Sequence, residues 1–486
     1  MSETRLLAWN TAAQALGKVI STALGVVVVG LMTRLLGQSG FGMYTTAVAF
    51  FQIFALMLDL GINVMLVQML GERAGDKAYE DRAVSATFTF RILTALILLS
   101  AAPLVGLFLD YPWALKLALF AIWGSFFSSA LNQIVIGAQQ RHLKMKMVAV
   151  AEVVGRVVLL AGVLLAYYLH WGLVPLALII SIAGFANLAL NLLAARHFAS
   201  FKWNWDPAFW KILISRAWPI GLSILFNLIY FKADTLVLSY VRPFTEVGVY
   251  GAAYRVLEIL VTLPFMYSGV LLPMIANAWA KQDRARFQQL MRNSYTAMTL
   301  LAAPMLAGTF VLGERIMTFV AGPDFTASGG VLKILMLAVA IIFFGTVSSH
   351  AVVALDAQRR AIPLYVVTAL VTLAGYIIFI PQYGMWAAAW LTVGSECAVA
   401  LGTTLLSLHL SQTRLDWSPI IKSLLCAAAM ALAIQPLKAA WLPLPIFAGA
   451  AIYIILTLVT GVVSRQALKE LLPFRRNAAD LTPPLV

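Results

Sequence analysis

Apolar runs of about 20 residues recur along this chain from one end to the other. A run of that length can cross the hydrocarbon core of a bilayer as one α-helix. The 486 residues are 62% hydrophobic and only 11% charged, with a mean hydropathy of +0.90, whereas a soluble domain carries about 25% charged residues. Helices satisfy their backbone hydrogen bonds internally in lipid. The sequence therefore predicts an all-α polytopic membrane protein.

The hydropathy pattern divides the chain into 14 predicted spans. They cover about residues 10–32, 44–70, 84–109, 115–137, 149–169, 175–196, 214–240, 248–273, 293–313, 330–354, 363–380, 385–410, 420–437 and 445–464. The opening MSETRLLAWN leads directly into the first span, so we expect no cleavable signal. Cys397 and Cys426 fall inside spans and do not indicate a disulfide framework.

Four short segments of the first half recur in the same order in the second half. SGFGMYTTA, LLSAAPLVGLF, GAQQR and HWGL are echoed by TEVGVYGAA, LLAAPMLAGTF, DAQRR and QYGM, at offsets of 206, 202, 219 and 212 residues. Spans one to six thus repeat as spans seven to twelve in the same orientation, which places a pseudo-symmetry axis along the membrane normal. We expect residues 10–196 and 214–410 to superpose by a rotation of about 180°.

The repeat predicts the domain organisation. Residues 1–200 form an N-terminal six-helix bundle, 201–213 an interfacial linker helix, 214–412 a C-terminal six-helix bundle, and 413–486 two extra transmembrane helices with a cytoplasmic tail. In the linker, Asp206 and Pro207 suit an N-cap and a first helical turn. The two bundles would enclose a central cavity. The echoed GMY and GVY segments would be outer turns, because glycine permits tight reversal and tyrosine suits the membrane interface.

The recurring segments resemble a known family. TRLLGQSGFGMYTTAVAF, DTLVLSYVRPFTEVGVYGAAYRVLE, AGPDFTASGGVLKIL and IPQYGMWAAAWLT are similar to segments of the polysaccharide transporter family, over nearly the whole chain. This family includes flippases for O-antigen and exopolysaccharide repeat units, and its superfamily also holds multidrug exporters and the lipid II flippase. The resemblance implies an undecaprenyl-pyrophosphate-linked oligosaccharide as substrate, alternating access, the bacterial inner membrane as location, and a polysaccharide polymerase and a chain-length regulator as partners.

An enzyme is disfavoured by the sequence. It contains no G-x-x-x-x-G-K-[ST] phosphate loop, and its five histidines are scattered without the spacing of a metal site. We expect no cofactor and no nucleic acid partner. A membrane polymerase or ligase is the alternative from another class, but the longest predicted outer loop, 313–330, offers no convincing pair of catalytic acids.

Ionisable residues inside the predicted spans are the candidate site, since a charge in the bilayer faces a partner or a wet cavity. The candidate substrate-binding cations are Lys18, Arg91, Arg156, Lys232 and Arg255. The candidate ion-coupling or charge-balancing acids are Asp59, Asp234, Glu258 and Glu396. Helical spacing predicts two ion pairs that could be purely structural, Glu152 with Arg156 and Arg255 with Glu258. Lys232 and Asp234 are two residues apart and cannot pair along one helix face.

Three of these charges lie at similar predicted depth. Lys18, Asp59 and Arg91 lie about 10–16 Å from the cytoplasmic ends of their helices. One carboxylate offsets only one of the two cations, so we hypothesise that Lys18 and Arg91 meet a diphosphate, which lysine and arginine bind well. Lys232 and Arg255 would offer the headgroup a second position. The alternative is that these charges only hold helices together.

Other polar positions leave two interpretations open. Ser125, Ser129, Gln133, Asn187 and Asn191 could bind sugar hydroxyls or neighbouring helices. Glu396 has no basic neighbour on its own helix, so it could couple transport to protons, as could Asp59, or it could remain a neutral hydrogen-bonded acid.

These observations favour a flippase for a lipid-linked oligosaccharide that does not hydrolyse ATP. The lipid II flippase and a multidrug or cation antiporter are the alternatives within transport. The bias of the central charges toward cations argues against export of cations, which would require unpaired carboxylates.

The distribution of basic residues predicts the orientation. With a cytoplasmic N-terminus, 23 of the 34 lysines and arginines lie on the cytoplasmic side and 6 on the outer side, as the positive-inside rule requires. Both termini and the loops 71–83, 138–148 and 274–292 should therefore be cytoplasmic. Reporter enzymes fused in each loop measure this, and an external signal from any of them would contradict the 14-span topology.

Overall fold

The chain folds into helices joined by short connections. The computed structural model describes residues 3–59, 61–73, 75–142 and 144–462, without the side chains of 3–16, 56 and 219–231. Within these ranges there are 14 α-helices: α1 Glu3–Asp59, α2 Ile62–Glu72, α3 Lys77–Phe108, α4 Trp113–Arg141, α5 Met145–Tyr168, α6 Leu173–Ala195, α7 Pro207–Val241, α8 Phe244–Ala280, α9 Arg284–Ala321, α10 Ser328–Ala354, α11 Gln358–Tyr383, α12 Met385–Ser411, α13 Trp417–Ile434 and α14 Pro443–Val459.

The described helices confirm the all-α polytopic prediction. Among them, eleven are long and apolar enough to cross a membrane. Short 3₁₀ helices at Pro323–Phe325 and Gln435–Ala439 complete the described secondary structure. Cys397 and Cys426 are free thiols, as expected.

The first two predicted spans are divided differently from the prediction. Helix α1 continues through both spans as far as Asp59, with one interruption at Gly37 (φ 62°, ψ −176°), and the second span is broken again at Gly61 (φ 76°). Glycine tolerates this left-handed region because it lacks a Cβ. Predicted spans three to fourteen each contain one helix, α3 to α14. The number of described α-helices therefore equals the number of predicted spans, although α1 and α2 divide the first two spans at a different residue.

The prediction that the GMY and GVY segments are turns is wrong. Both segments are helical, and the breaks that precede them lie at Gly37 and at Arg242–Pro243. Gly42 and Gly248 instead mark a close crossing of α1 and α8. A Cβ on Gly42 would overlap the carbonyl of Phe244, and a Cβ on Gly248 would overlap the carbonyl of Gln38. The two overlaps are equivalent under the 206-residue offset, because Gly42 corresponds to Gly248 and Gln38 to Phe244. The crossing is therefore locally two-fold symmetric.

The linker before α7 is anchored by its polar residues. Residues 201–206 are not helical, so 201–213 is not a separate linker helix, and α7 begins at Pro207 and continues into the next span. Asp206 is the predicted N-cap: its Oδ1 accepts from the Phe209 amide at 3.0 Å, and its Oδ2 accepts from Arg82 Nε at 2.6 Å. The hydrogen bond from Arg82 lowers the pKa of Asp206. Trp210 Nε1 donates to the Ala86 carbonyl at 2.9 Å.

The chain forms two compact units that interleave along the sequence. The first contains the chain up to Ile259 with Met317–Leu335 and Arg360–Val399, and the second contains Leu260–Ile316, Met336–Arg359 and the chain from Ala400 onward. In the second unit, Tyr453 of α14 donates to the Leu300 carbonyl of α9 at 3.1 Å. These units differ from the contiguous bundles 1–200 and 214–412, whose superposition stays a prediction.

The Gly42–Gly248 crossing leads to a test with an internal control. Gly42→Ala or Gly248→Ala should destabilise the protein by about 1–3 kcal/mol, because the added methyl overlaps a carbonyl that a helix cannot easily move. Gly25→Ala on the same helix α1 has nothing within 4 Å of its Cβ and should be neutral or stabilising, since glycine costs about 0.5–1 kcal/mol relative to alanine within a helix. Thermal midpoints in detergent compare the three variants, and equal midpoints would argue against a tight crossing.

Candidate functional site

A polar cavity of about 410 Å³ lies inside the first unit, between α1, α4, α5 and α6. This volume is within the range of about 300–1,000 Å³ that is typical of ligand pockets. Small residues make room for it, since a Cβ on Gly155 of α5 would lie 3.0 Å from the Asn187 side chain of α6. Its polar lining residues are Lys18, Ser125, Ser128, Ser129, Asn132, Glu152, Arg156, Asn187 and Asn191.

Two of the predicted cations and one carboxylate face this cavity. Lys18 Nζ on α1 pairs with Glu152 Oε1 on α5 at 3.3 Å, and the Lys18 side chain is 44% exposed. The predicted pair between Glu152 and Arg156 is therefore wrong. Arg156 forms no ion pair with any side chain that the structure describes. The charged residues lining the cavity sum to one net positive charge.

The amides in the cavity form a connected set that leaves hydrogen-bonding capacity unused. Asn132 Nδ2 donates to Asn187 Oδ1 at 3.1 Å, Asn191 Nδ2 donates to the same oxygen at 2.7 Å, and Gln139 Nε2 donates to Asn191 Oδ1 at 3.2 Å. Asn132 Oδ1 is buried without a hydrogen-bond partner in the described structure. The amides thus join α4 to α6. Of the residues predicted to bind sugars or helices, Gln133 does not line the cavity, whereas Ser125, Ser129, Asn187 and Asn191 do. Sugar binding by them stays a prediction.

Arg91 does not pair with the same partners as Lys18, and its guanidinium binds the end of helix α1. Its side chain is 1% exposed, its Nη1 donates to the Leu58 carbonyl at 2.6 Å, and its Nη2 pairs with Asp59 Oδ1 at 3.2 Å. Leu58 and Asp59 end α1, where a helix leaves its last carbonyls without intrahelical partners. The structure therefore does not bring Lys18 and Arg91 together, and Arg91 lines neither of the two cavities described here. Arg91 caps the broken helix.

The cations of the second repeat share one acid at the seam between α1, α7 and α8. Glu258 accepts a short contact from Lys232 Nζ through Oε1, and its Oε2 lies 2.7 Å from Arg255 Nη1. The predicted pair of Arg255 with Glu258 is thus present, with Lys232 as an additional partner. Lys232 also lies over the Tyr254 ring at 4.6 Å, and Arg255 over the Tyr44 ring at 5.8 Å. Such cation–π contacts partly replace the lost hydration of a charge.

The remaining two candidate acids are deeply buried. Asp234 is 1% exposed, accepts from the Tyr250 hydroxyl and the Thr235 amide, and interacts electrostatically with Lys232. Glu396 is 8% exposed and forms no hydrogen bond or ion pair with a side chain that the structure describes. Proton coupling at Glu396 stays a prediction. No group of three metal-ligating residues occurs in the searched part of the chain.

Sequence analysis missed the roles of Tyr44 and Tyr250. The sequence predicts both at the membrane interface, whereas Tyr250 is fully buried and donates to Asp234, and the Tyr44 ring contacts Arg255. Their repetition after Gly42 and Gly248 was the available signal. This repetition shows that the glycine–tyrosine spacing occurs in both halves of the chain, but it does not indicate which charged residues the rings contact.

Comparison with known protein families identifies the chain over more than half its length. The model of the polysaccharide biosynthesis protein family matches residues 7–279, and the MatE model matches residues 219–379. Among curated proteins, "Probable flippase AglR" of Haloferax volcanii is 23% identical over 411 residues, covering 81% of this chain and 83% of the relative. "Probable low-salt glycan biosynthesis flippase Agl15" of the same organism is 22% identical and covers 82% of each chain.

Solved structures share the fold at low sequence identity. The lipid II flippase MurJ in an inward closed conformation superposes with a TM-score of 0.78 at 15% identity, covering 93% of this chain and 99% of MurJ. An inward-facing multidrug resistance MATE transporter superposes with a TM-score of 0.67 at 12% identity, covering 83% and 98%. At these identities, both similarities show a shared fold and nothing further.

The placement of Arg91 predicts how its variants differ from those of Lys18. Arg91→Ala should lower the yield of folded protein, because it leaves the buried Leu58 carbonyl and Asp59 without their partner. Lys18→Ala should keep normal yield, since its side chain is 44% exposed. Arg91→Lys should restore part of the loss by making one of the two contacts. Size-exclusion profiles in detergent measure the yield. Normal yield of Arg91→Ala with lost transport would instead favour the substrate-binding hypothesis for Arg91.

Proposed function

The chain belongs to the polysaccharide biosynthesis protein family, and on this premise we propose that it is a flippase for a lipid-linked oligosaccharide. The substrate is a polyprenyl-diphosphate-linked glycan, in the bacterial case an undecaprenyl-linked repeat unit of O-antigen or exopolysaccharide. The protein transfers it from the cytoplasmic to the outer leaflet of the inner membrane by alternating access. No covalent bond is made or broken in this process.

The observation that carries the proposal is the chemistry of the cavity between α1, α4, α5 and α6. Its hydroxyls and amides match the many donors and acceptors of a sugar, and its volume of about 410 Å³ accommodates a ligand. Arg156 and Lys18 outnumber Glu152, so the cavity favours an anion over a cation. A site that is polar, cationic and embedded among membrane helices suits a headgroup that carries both sugars and phosphates.

The two groups of cations give the anionic headgroup two binding positions. Lys18 and Arg156 line the cavity, whereas Lys232 and Arg255 lie at the seam of α1 with α7 and α8. Alternating access requires that a headgroup be bound in one state and released in another, so two weaker sites serve better than one tight site. The lipid tail needs no protein site, because the bilayer is its preferred solvent.

Agl15, whose name describes a probable glycan biosynthesis flippase, and AglR, named a probable flippase, support this proposal over its alternatives within transport. The net positive cavity opposes a cationic drug. A lipid II flippase would share the diphosphate chemistry but act on a different glycan, so substrate tests distinguish the two.

Transport by reconstituted protein tests the proposal. Proteoliposomes are prepared with a fluorescent polyprenyl-diphosphate oligosaccharide in both leaflets. Substrate from the inner leaflet should become accessible to an external glycosidase faster than in liposomes that contain the substrate but no protein. Arg156→Ala should slow this by about tenfold, because a charge-assisted hydrogen bond contributes about 1.5–3 kcal/mol. Arg216→Gln is the control, since Arg216 pairs with Glu72 at 2.8 Å and lines neither described cavity. Wild-type protein that fails to flip this substrate but moves ethidium or lipid II would overturn the assignment.

A further inference from the structure

One carboxylate, Glu258, bridges two cations at the seam between the repeats. Each of its oxygens binds a different partner, Oε1 to Lys232 and Oε2 to Arg255. A phosphate group binds neighbouring lysine and arginine side chains in the same manner, through separate oxygens. Glu258 therefore occupies the place that an anionic ligand of these two cations would take.

The first repeat supplies no charge to this seam. Under the 206-residue offset that relates Gly42 to Gly248, Glu258 corresponds to Gln52 and Arg255 to Ala49. Gln52 and Ala49 line the same small cavity as Glu258 and Arg255. The lining residues thus carry two cations and one carboxylate, all from the second repeat.

Polar atoms in the seam have unused hydrogen-bonding capacity. Thr45 Oγ1 and Gln52 Oε1 are buried without a hydrogen-bond partner in the described structure, and both residues line the cavity. The Thr45 hydroxyl can donate, and rotation of the Gln52 amide would present its NH₂ group. The cavity measures about 20 Å³, room for about one water molecule. A phosphate group cannot enter while Glu258 stays in place.

The charges of the seam are accessible enough to exchange partners. The side chains of Lys232, Arg255 and Glu258 are 11%, 23% and 24% exposed, whereas Arg91 in its ion pair with Asp59 is 1% exposed. A fully buried ion pair is costly to break, and this cost falls as water reaches the charges. Glu258 can therefore release its cations at a cost that ligand binding offsets.

We propose that Glu258 is an internal competitor of the substrate diphosphate for Lys232 and Arg255. In the unliganded protein its carboxylate holds the two cations together and closes the seam. A diphosphate displaces the carboxylate, takes both cations and uses the donors of Thr45 and Gln52. The displacement keeps the affinity for the headgroup moderate, which favours its release on the other side. This inference rests on the proposed function, because it assumes a diphosphate-bearing substrate.

Binding of a short polyprenyl diphosphate tests the competition. Geranylgeranyl diphosphate is titrated into detergent-purified protein, with geranylgeraniol as the control for the lipid tail. Glu258→Gln should bind the diphosphate about five- to tenfold tighter than wild type, because its side chain no longer offers a carboxylate that competes for the two cations. Lys232→Met should weaken binding in both the wild-type and the Glu258→Gln background. Glu72→Gln, which alters the ion pair with Arg216 elsewhere, should change nothing.

Thermal shifts keep the test informative if Glu258→Gln is unstable. Loss of the bridging carboxylate leaves two adjacent cations, so the diphosphate should raise the midpoint of this variant more than that of wild type. Equal or weaker binding by folded Glu258→Gln, with normal binding by wild type, overturns the competitor role and leaves the proposed function standing. Absence of diphosphate binding in wild type and every variant overturns both the competitor role and the diphosphate substrate.

Discussion

The close approach of α1 and α8 at Gly42 and Gly248 is the contact on which the arrangement of the first unit depends. Membrane helices gain little from hydrophobic burial against one another, so small residues that let backbones meet determine where helices cross. Here each glycine faces a carbonyl of the other helix at equivalent positions of the two repeats. This sets the register of α1 against α8, and one turn further along, Thr45 meets Gly251.

That register determines the surroundings of the charged residues of the second repeat. It places Arg255 over the Tyr44 ring, and it lets Gln52 and Glu258 line one small cavity. Two helical sequences that are related by repetition thus become chemically unequal where they meet, because one contributes neutral residues and the other contributes charges. A chain with repeated helices can build a one-sided ion site in this way.

The chain places charges among its membrane helices in three physically different ways. Arg91 is fully buried and caps a broken helix, so its charge serves structure. Lys18, Glu152 and Arg156 line a polar cavity in which water or a ligand can solvate them. Lys232, Arg255 and Glu258 neutralise one another in part and remain partly exposed. Under the proposed function, the second and third arrangements suit binding and release of an anionic headgroup, because their charges are less buried than that of Arg91.

Sequence by itself determined the all-helical membrane fold, the positions of helices α3 to α14, the N-cap at Asp206 and the pairing of Arg255 with Glu258. These follow from hydropathy over about 20 residues and from contacts within one helical turn. Tertiary structure alone decided that Gly37 rather than Gly42 interrupts α1, that Glu152 pairs with Lys18 instead of Arg156, and that Arg91 caps a helix end. Each of these depends on which face of one helix meets which face of another, and hydropathy, which only reports that a helix lies in the membrane, carries no information about that rotation.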